Sequence, residues 1–188
     1  MESPKENRLS ALQGTLLVVL RVAIGWHMLY EGWYKLTTPG GWSAAGYLLA
    51  LPPGPLSGIL HAIPDDPGLL RVVDLLNMWG LTAVGLGLIV GFLTPYACLG
   101  GMFMLALYYL GNPPWVSVKA VAGEGNYLYL DKNLLELIAL GVVLAFNTGR
   151  LAGLDVLVPR WRELRQMAPR PRAPRKKKQR ELPNNADA

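Results

Sequence analysis

The stretch LQGTLLVVLRVAIGWHMLYEGWYKL, residues 12–36, decides the fold. It is apolar over most of its length and long enough to cross a bilayer, which takes about 20 residues. Yet it carries Arg21, His27, Glu31 and Lys35. An ionisable group at the centre of a spanning helix costs about 2.5–3.5 kcal/mol on insertion scales, so it is expected to face a bundle interior and a partner. On a helix that takes Arg21 as zero, His27, Glu31 and Lys35 fall near about 240°, 280° and 320°. The four share one face, and His27–Glu31 and Glu31–Lys35 are also i,i+4 neighbours. The functional reading is a polar stripe lining an internal cavity. The structural alternative is a run of salt bridges with Lys35 snorkelling to the interface.

Outward from this stretch, three more apolar segments follow, at residues 69–92, 96–111 and 133–147. Backbone groups in lipid must bond within their own segment, so each is expected to be a helix. The predicted class is all-α: an integral membrane bundle of four transmembrane helices, with short interfacial helices in the first outer loop. Three spans with a re-entrant third segment is the competing topology. Residues 93–95, Leu-Thr-Pro, form a tight helical hairpin, with Pro95 opening the next helix. Residues 38–68 form a long loop punctuated by Pro39, Pro52, Pro53, Pro55, Pro64 and Pro67. Its pieces 42–51 and 56–63 are amphipathic and too short to span, which suits the interface. The second long loop, 112–130, carries Trp115, Tyr127 and Tyr129, residues suited to headgroup level.

Composition agrees. Of the 188 residues, 52% are hydrophobic and only 16% charged, and the mean hydropathy is +0.26. The formal charge of +5 belongs to one end of the chain, because ten of the 18 Lys and Arg lie in residues 160–180. The remainder is mildly acidic. The predicted organisation is a short N-terminus (1–11), a membrane domain (12–158) and a basic tail (159–188), disordered by composition and able to meet anionic lipid headgroups. Basic residues concentrate on the cytoplasmic side. With four spans, this places both termini in the cytoplasm and both long loops outside. The N-terminus reads as a retained first span rather than a cleaved signal. The single cysteine, Cys98, excludes an intrachain disulfide and a thiol pair. His27 and His61 are far apart, and no metal is expected. No phosphate-binding loop or nucleophile elbow occurs, and no nucleic-acid partner is expected.

Polar residues recur at similar depth in the other segments. Arg71, Asp74 and Asn77 share a face at the start of the second. Tyr108 and Tyr109 end the third, and Lys132, Asn133 and Glu136 begin the fourth. Burial and mutual repulsion of carboxylates favour proton exchange, which makes Glu31, His27, Asp74 and Glu136 the candidate catalytic groups. Trp26, Trp33, Tyr34 and Trp79 are candidate aromatic walls. Arg21, Asn77 and Tyr108 join Trp33, Tyr34 and Trp79 as candidate cofactor contacts, and Lys35 and Arg71 as anion contacts. Lys132 reads as an interfacial anchor. Ala83, Gly87 and Gly91 have small-xxx-small spacing for close helix packing.

Several of these motifs carry a resemblance. Arg21-Val-Ala-Ile-Gly25 followed by Glu31-Gly32-Trp-Tyr-Lys35-Leu36 resembles the first helix of the DoxX/DoxD family. Gly85-Leu-Gly-Leu-Ile-Val-Gly91-Phe-Leu-Thr94 is similar to its second span and turn. Asn133-Leu-Leu-Glu136 and Gly149-Arg150-Leu-Ala-Gly-Leu-Asp155 look like its last helix and following segment. The resemblance covers roughly residues 12–158. It implies a four-helix protein of the bacterial inner membrane. In the DoxD-like branch it implies the membrane subunit of a thiosulfate:quinone oxidoreductase, with quinone as cofactor and a second redox subunit as partner. Membrane lipid is the expected surroundings, and homo-oligomerisation is open. Two other readings stand beside it: a non-enzymatic docking or assembly module, and a small-solute or proton carrier.

Overall fold

The structure is a computed structural model, and it describes residues 9–117 and 128–156. The expected basic tail and the first eight residues lie outside the described residues. Those described are helical, with long helices α1 (Ala11–Thr37), α4 (Pro67–Val90), α5 (Thr94–Gly111) and α7 (Lys132–Ala145). Short helices α2 (Ala45–Ala50), α3 (Ser57–Ala62) and α6 (Pro114–Ser117) lie in the connections. Among the described residues, α1 and α4 are the two helices long and apolar enough to cross a membrane. Both contain the segments expected to do so. α5, with 18 residues, and α7, with 14, coincide with the other two expected segments and are shorter.

The helix ends follow from local chemistry. Ser10 and Gln13 form a reciprocal capping box at the start of α1. Asp66 caps α4 by accepting from Gly68 N and Leu69 N, with Pro67 in the first turn. Asp131 caps α7 by accepting from Leu134 N. α4 stops at Gly91, whose φ of +67° is a left-handed cap that a residue without Cβ adopts freely. Gly91 therefore ends the helix rather than extending a packing stripe, and Ala83 of that stripe is exposed.

Close approach of α1 and α4 comes from other glycines. A Cβ on Gly25 would sit 2.9 Å from Leu88 Cβ. One on Gly85 would collide with the backbone of Leu29, and one on Gly32 with Thr82. Ile24, Met28, Leu81, Val84, Leu88, Cys98, Leu105, Leu140 and Val143 from all four long helices form the shared core. A second cluster, Ala44, Leu48, Leu51 and Ile63, packs with Trp42, Leu60, Leu70 and Val73. The first long loop is thus folded into a cap against one end of the bundle. The outer surface is apolar and rich in large side chains, with Leu12, Trp26, Phe103 and Tyr96 all exposed.

Candidate functional site

A cavity of about 450 Å³ opens between the bundle and the cap. It is within the roughly 300–1,000 Å³ typical of small-molecule sites. Its walls are mostly apolar. Met28, Leu81 and Leu105 come from the bundle, and Leu48, Leu51, Leu60 and Ile63 from the cap. Trp42, Tyr47 and Tyr108 add aromatic surface, and His27, Glu31, Lys35, Asn77, Lys132, Asn133 and Glu136 add polarity.

One polar chain has a direction imposed by chemistry. Lys35 Nζ lies 2.8 Å from Asn77 Oδ1, and an ammonium only donates. The Asn77 amide is thereby oriented with Nδ2 toward Tyr108, to whose hydroxyl oxygen it donates at 2.8 Å. Tyr108 is left with its own proton to give, and no protein acceptor takes it among the described residues. Lys35 also sits 4.8 Å from the Trp42 ring centroid, a cation–π approach that ties α1 to the cap. The same residue stacks less closely over Tyr108, at 5.9 Å.

The second polar group joins α1 to α7. His27 Nδ1 lies 2.7 Å from Glu136 Oε1, and His27 Nε2 lies 4.0 Å from Glu31 Oε1. The 2.7 Å approach is a close contact without hydrogen-bond alignment, since Nδ1 has no aligned partner. Glu136 Oε2 is buried with no hydrogen-bond partner among the described residues. The cavity therefore has a donor end at Lys35 and Tyr108 and an acceptor end at Glu136. Beside it, burial around the Tyr47 hydroxyl pushes that phenol above its ordinary range, and the Asp131 carboxylate adds to the shift. Tyr47 thus stays neutral at ordinary pH.

Half of the predicted site residues meet here: His27, Glu31, Lys35, Asn77, Tyr108 and Glu136 all line the cavity. The others are placed elsewhere. Trp33, Tyr34 and Trp79 are 60%, 61% and 59% exposed and face outward. Arg71 is exposed at the capped end and is not in the lining. Asp74 accepts from Ala44 N at 2.7 Å, so it pins the chain leading into α2 rather than facing the cavity.

Arg21, 2% exposed, sits in the N-terminal half of α1, away from the cavity, and donates from Nη2 to Ala152 O. It belongs to a second buried cluster with Asp155, whose carboxylate accepts from Leu93 N and Thr94 N and so caps α5 from a distance. Gly91 and Gly149 leave the space for these side chains, and Gly153 packs against the backbone of both. A Cβ on Gly91 would lie 3.0 Å from Arg21 Nη2, and one on Gly149 would collide with Asp155 and Thr94.

Lys132, read from sequence as an interfacial anchor, lines the cavity with Asn133. Trp42 and Tyr47 were not singled out as site residues. Their signal is faint: aromatic residues in a Pro-interrupted loop that is too long to be a simple connection. Compared with known proteins, the chain matches no family model, no curated protein and no solved structure.

Proposed function

We propose that this chain is a four-span protein of the bacterial inner membrane, of the DoxX/DoxD type, and that its cavity holds a quinone as part of a quinone-linked oxidoreductase. The exposed apolar belt supports a lipid environment, because soluble monomers rarely leave such large apolar patches uncovered. α5 rises about 27 Å over its length, close to the bilayer core. The short α7 continues into the turn Thr148–Arg150. Both termini are cytoplasmic in this reading, because basic residues concentrate on that side and ten of them fall in the sequence 160–180. The capped end then faces outward.

The observation that carries the reading is the convergence of polar groups from all four long helices on one apolar-walled cavity. The residues fit a quinone. Trp42, Tyr47 and the leucines offer surfaces for a ring and the start of an isoprenoid chain. Tyr108 O–H and the Lys35 ammonium donate to a carbonyl oxygen. When bound, a quinone supplies a two-electron, two-proton acceptor. His27, with the Glu136 carboxylate 2.7 Å from its Nδ1, is placed to hold and pass a proton. Rotation of the half-exposed Glu31 side chain closes its 4.0 Å gap to His27 and gives a path toward solvent. Lys35 and Lys132 are the cavity's cations for an anionic electron donor, thiosulfate in the DoxD-like reading. A second redox subunit is the partner in this reading.

The test is extraction of quinone from the purified full chain, followed by titration with a short-chain analogue. Stoichiometric binding, weakened about tenfold by Tyr108→Phe, is expected from loss of the hydrogen bond donated to the quinone carbonyl. No co-purifying quinone and no saturable site would overturn the redox reading and leave the docking module.

A further inference from the structure

The donor and acceptor groups of the cavity are unevenly placed, and this polarity has a consequence for the redox state of its occupant. At one end, Lys35 and Asn77 fix the direction of bonding so that Tyr108 must donate. At the other, Glu136 Oε2 is buried and unpartnered, so it needs a donor. Lys35 and His27 are eight residues apart on α1, about 12 Å of rise, and Glu31 lies midway. Lys35, Glu31, His27 and Glu136 all line the same cavity.

A benzoquinone has a carbonyl at each end and only accepts. It satisfies Tyr108 but sets a lone pair against the Glu136 carboxylate. A hydroquinone accepts at one hydroxyl and donates at the other, and so satisfies both ends. We infer that the cavity selects the hydroquinone over the quinone, with Glu136 as the discriminating residue. This inference rests on the proposal that the cavity holds a quinone, and concerns which of its two redox forms the protein's own groups favour. A buried acceptor left unpaired is the more costly state. A charge-assisted O–H···O⁻ bond is also among the stronger contacts a site can offer. The expected discrimination is about tenfold or more. For a two-electron couple, tenfold tighter binding of the reduced form raises the bound midpoint potential by about 30 mV.

The experiment uses the full chain in detergent under argon. A short-chain benzoquinone and its chemically reduced hydroquinone are titrated separately, with tryptophan fluorescence and calorimetry as readouts. The expected result is at least tenfold tighter hydroquinone binding. Glu136→Gln, whose amide also donates, is expected to abolish or reverse the preference. Tyr108→Phe is expected to weaken both forms while keeping it. Equal affinities, or tighter quinone binding by the unaltered chain, overturn the inference while leaving the quinone reading intact. A hydroquinone preference that survives Glu136→Gln removes Glu136 from the role. Absence of binding by either form overturns the quinone reading itself, and this inference with it.

Discussion

His27 Nδ1 lies 2.7 Å from Glu136 Oε1, and this contact joins the middle of α1 to the start of the second turn of α7. Each partner is only part-exposed, so removing one strands the other in a poorly solvated wall. His27→Phe and Glu136→Leu are each expected to lower stability by about 0.5–1 kcal/mol, as for a part-exposed, unaligned pair. The double variant is expected to cost less than the sum, with a coupling of about 0.5 kcal/mol. Thermal unfolding of the four proteins in detergent measures it, and strict additivity would deny the contact.

Asn77 is predicted to separate stability from binding. Asn77→Leu removes the acceptor for Lys35 and the donor for Tyr108, at a cost of about 1–3 kcal/mol. Asn77→Asp keeps the Lys35 acceptor and turns a second oxygen toward Tyr108. The phenol proton then goes to that carboxylate instead of the cavity. Asn77→Asp is therefore expected to unfold near the temperature of the unaltered protein but to bind quinone analogues about tenfold more weakly. Equal affinity would show that Tyr108 does not donate to the ligand.

The glycines give a packing test. A methyl at Gly32 would collide with Thr82 across the α1–α4 contact, whereas one at Gly14 meets nothing within 4 Å. Gly32→Ala is expected to destabilise by about 1–3 kcal/mol through overpacking. Gly14→Ala, within the same helix, is expected to stabilise by about 0.5–1 kcal/mol. Equal effects of the two on unfolding temperature would contradict the close approach of α1 and α4.

The outward aromatic residues should be silent in binding. Trp33, Tyr34 and Trp79 lie on the exposed faces of α1 and α4. Replacing each by Leu is expected to change analogue affinity by less than about twofold, the range of surface substitutions. A loss of tenfold or more at any of them, read by titration, would return that residue to the cavity.

The sequence makes part of this site legible for a definite reason. His27, Glu31 and Lys35 repeat every four residues, so their shared face follows from helix geometry. Glu136 and Asn77 follow from their depth in apolar segments. Arg21 shares the same angular stripe but lies 14 residues from Lys35, about 21 Å along the helix, and falls in another cluster. Angle alone does not report that separation. Its neighbour Asp155 is remote in sequence and is brought there by the turn after α7. Trp33, Tyr34 and Trp79 are misplaced because an aromatic ring suits a lipid-facing surface as well as a cavity wall. Trp42 and Tyr47 reach the site only through the folding of the first loop over the bundle, which no local periodicity encodes.

The most direct measurement of the central claim is photolabelling of the full chain in membranes with an azidoquinone, followed by mapping of the labelled peptides. Label concentrated on the cavity-facing stretches around Trp42–Tyr47, Tyr108 and Glu136, and displaced by unlabelled quinone, is the expected result. Label confined to the outer groove between α4 and α5, around Leu86, Val90 and Tyr96, or label that excess quinone does not displace, would contradict it.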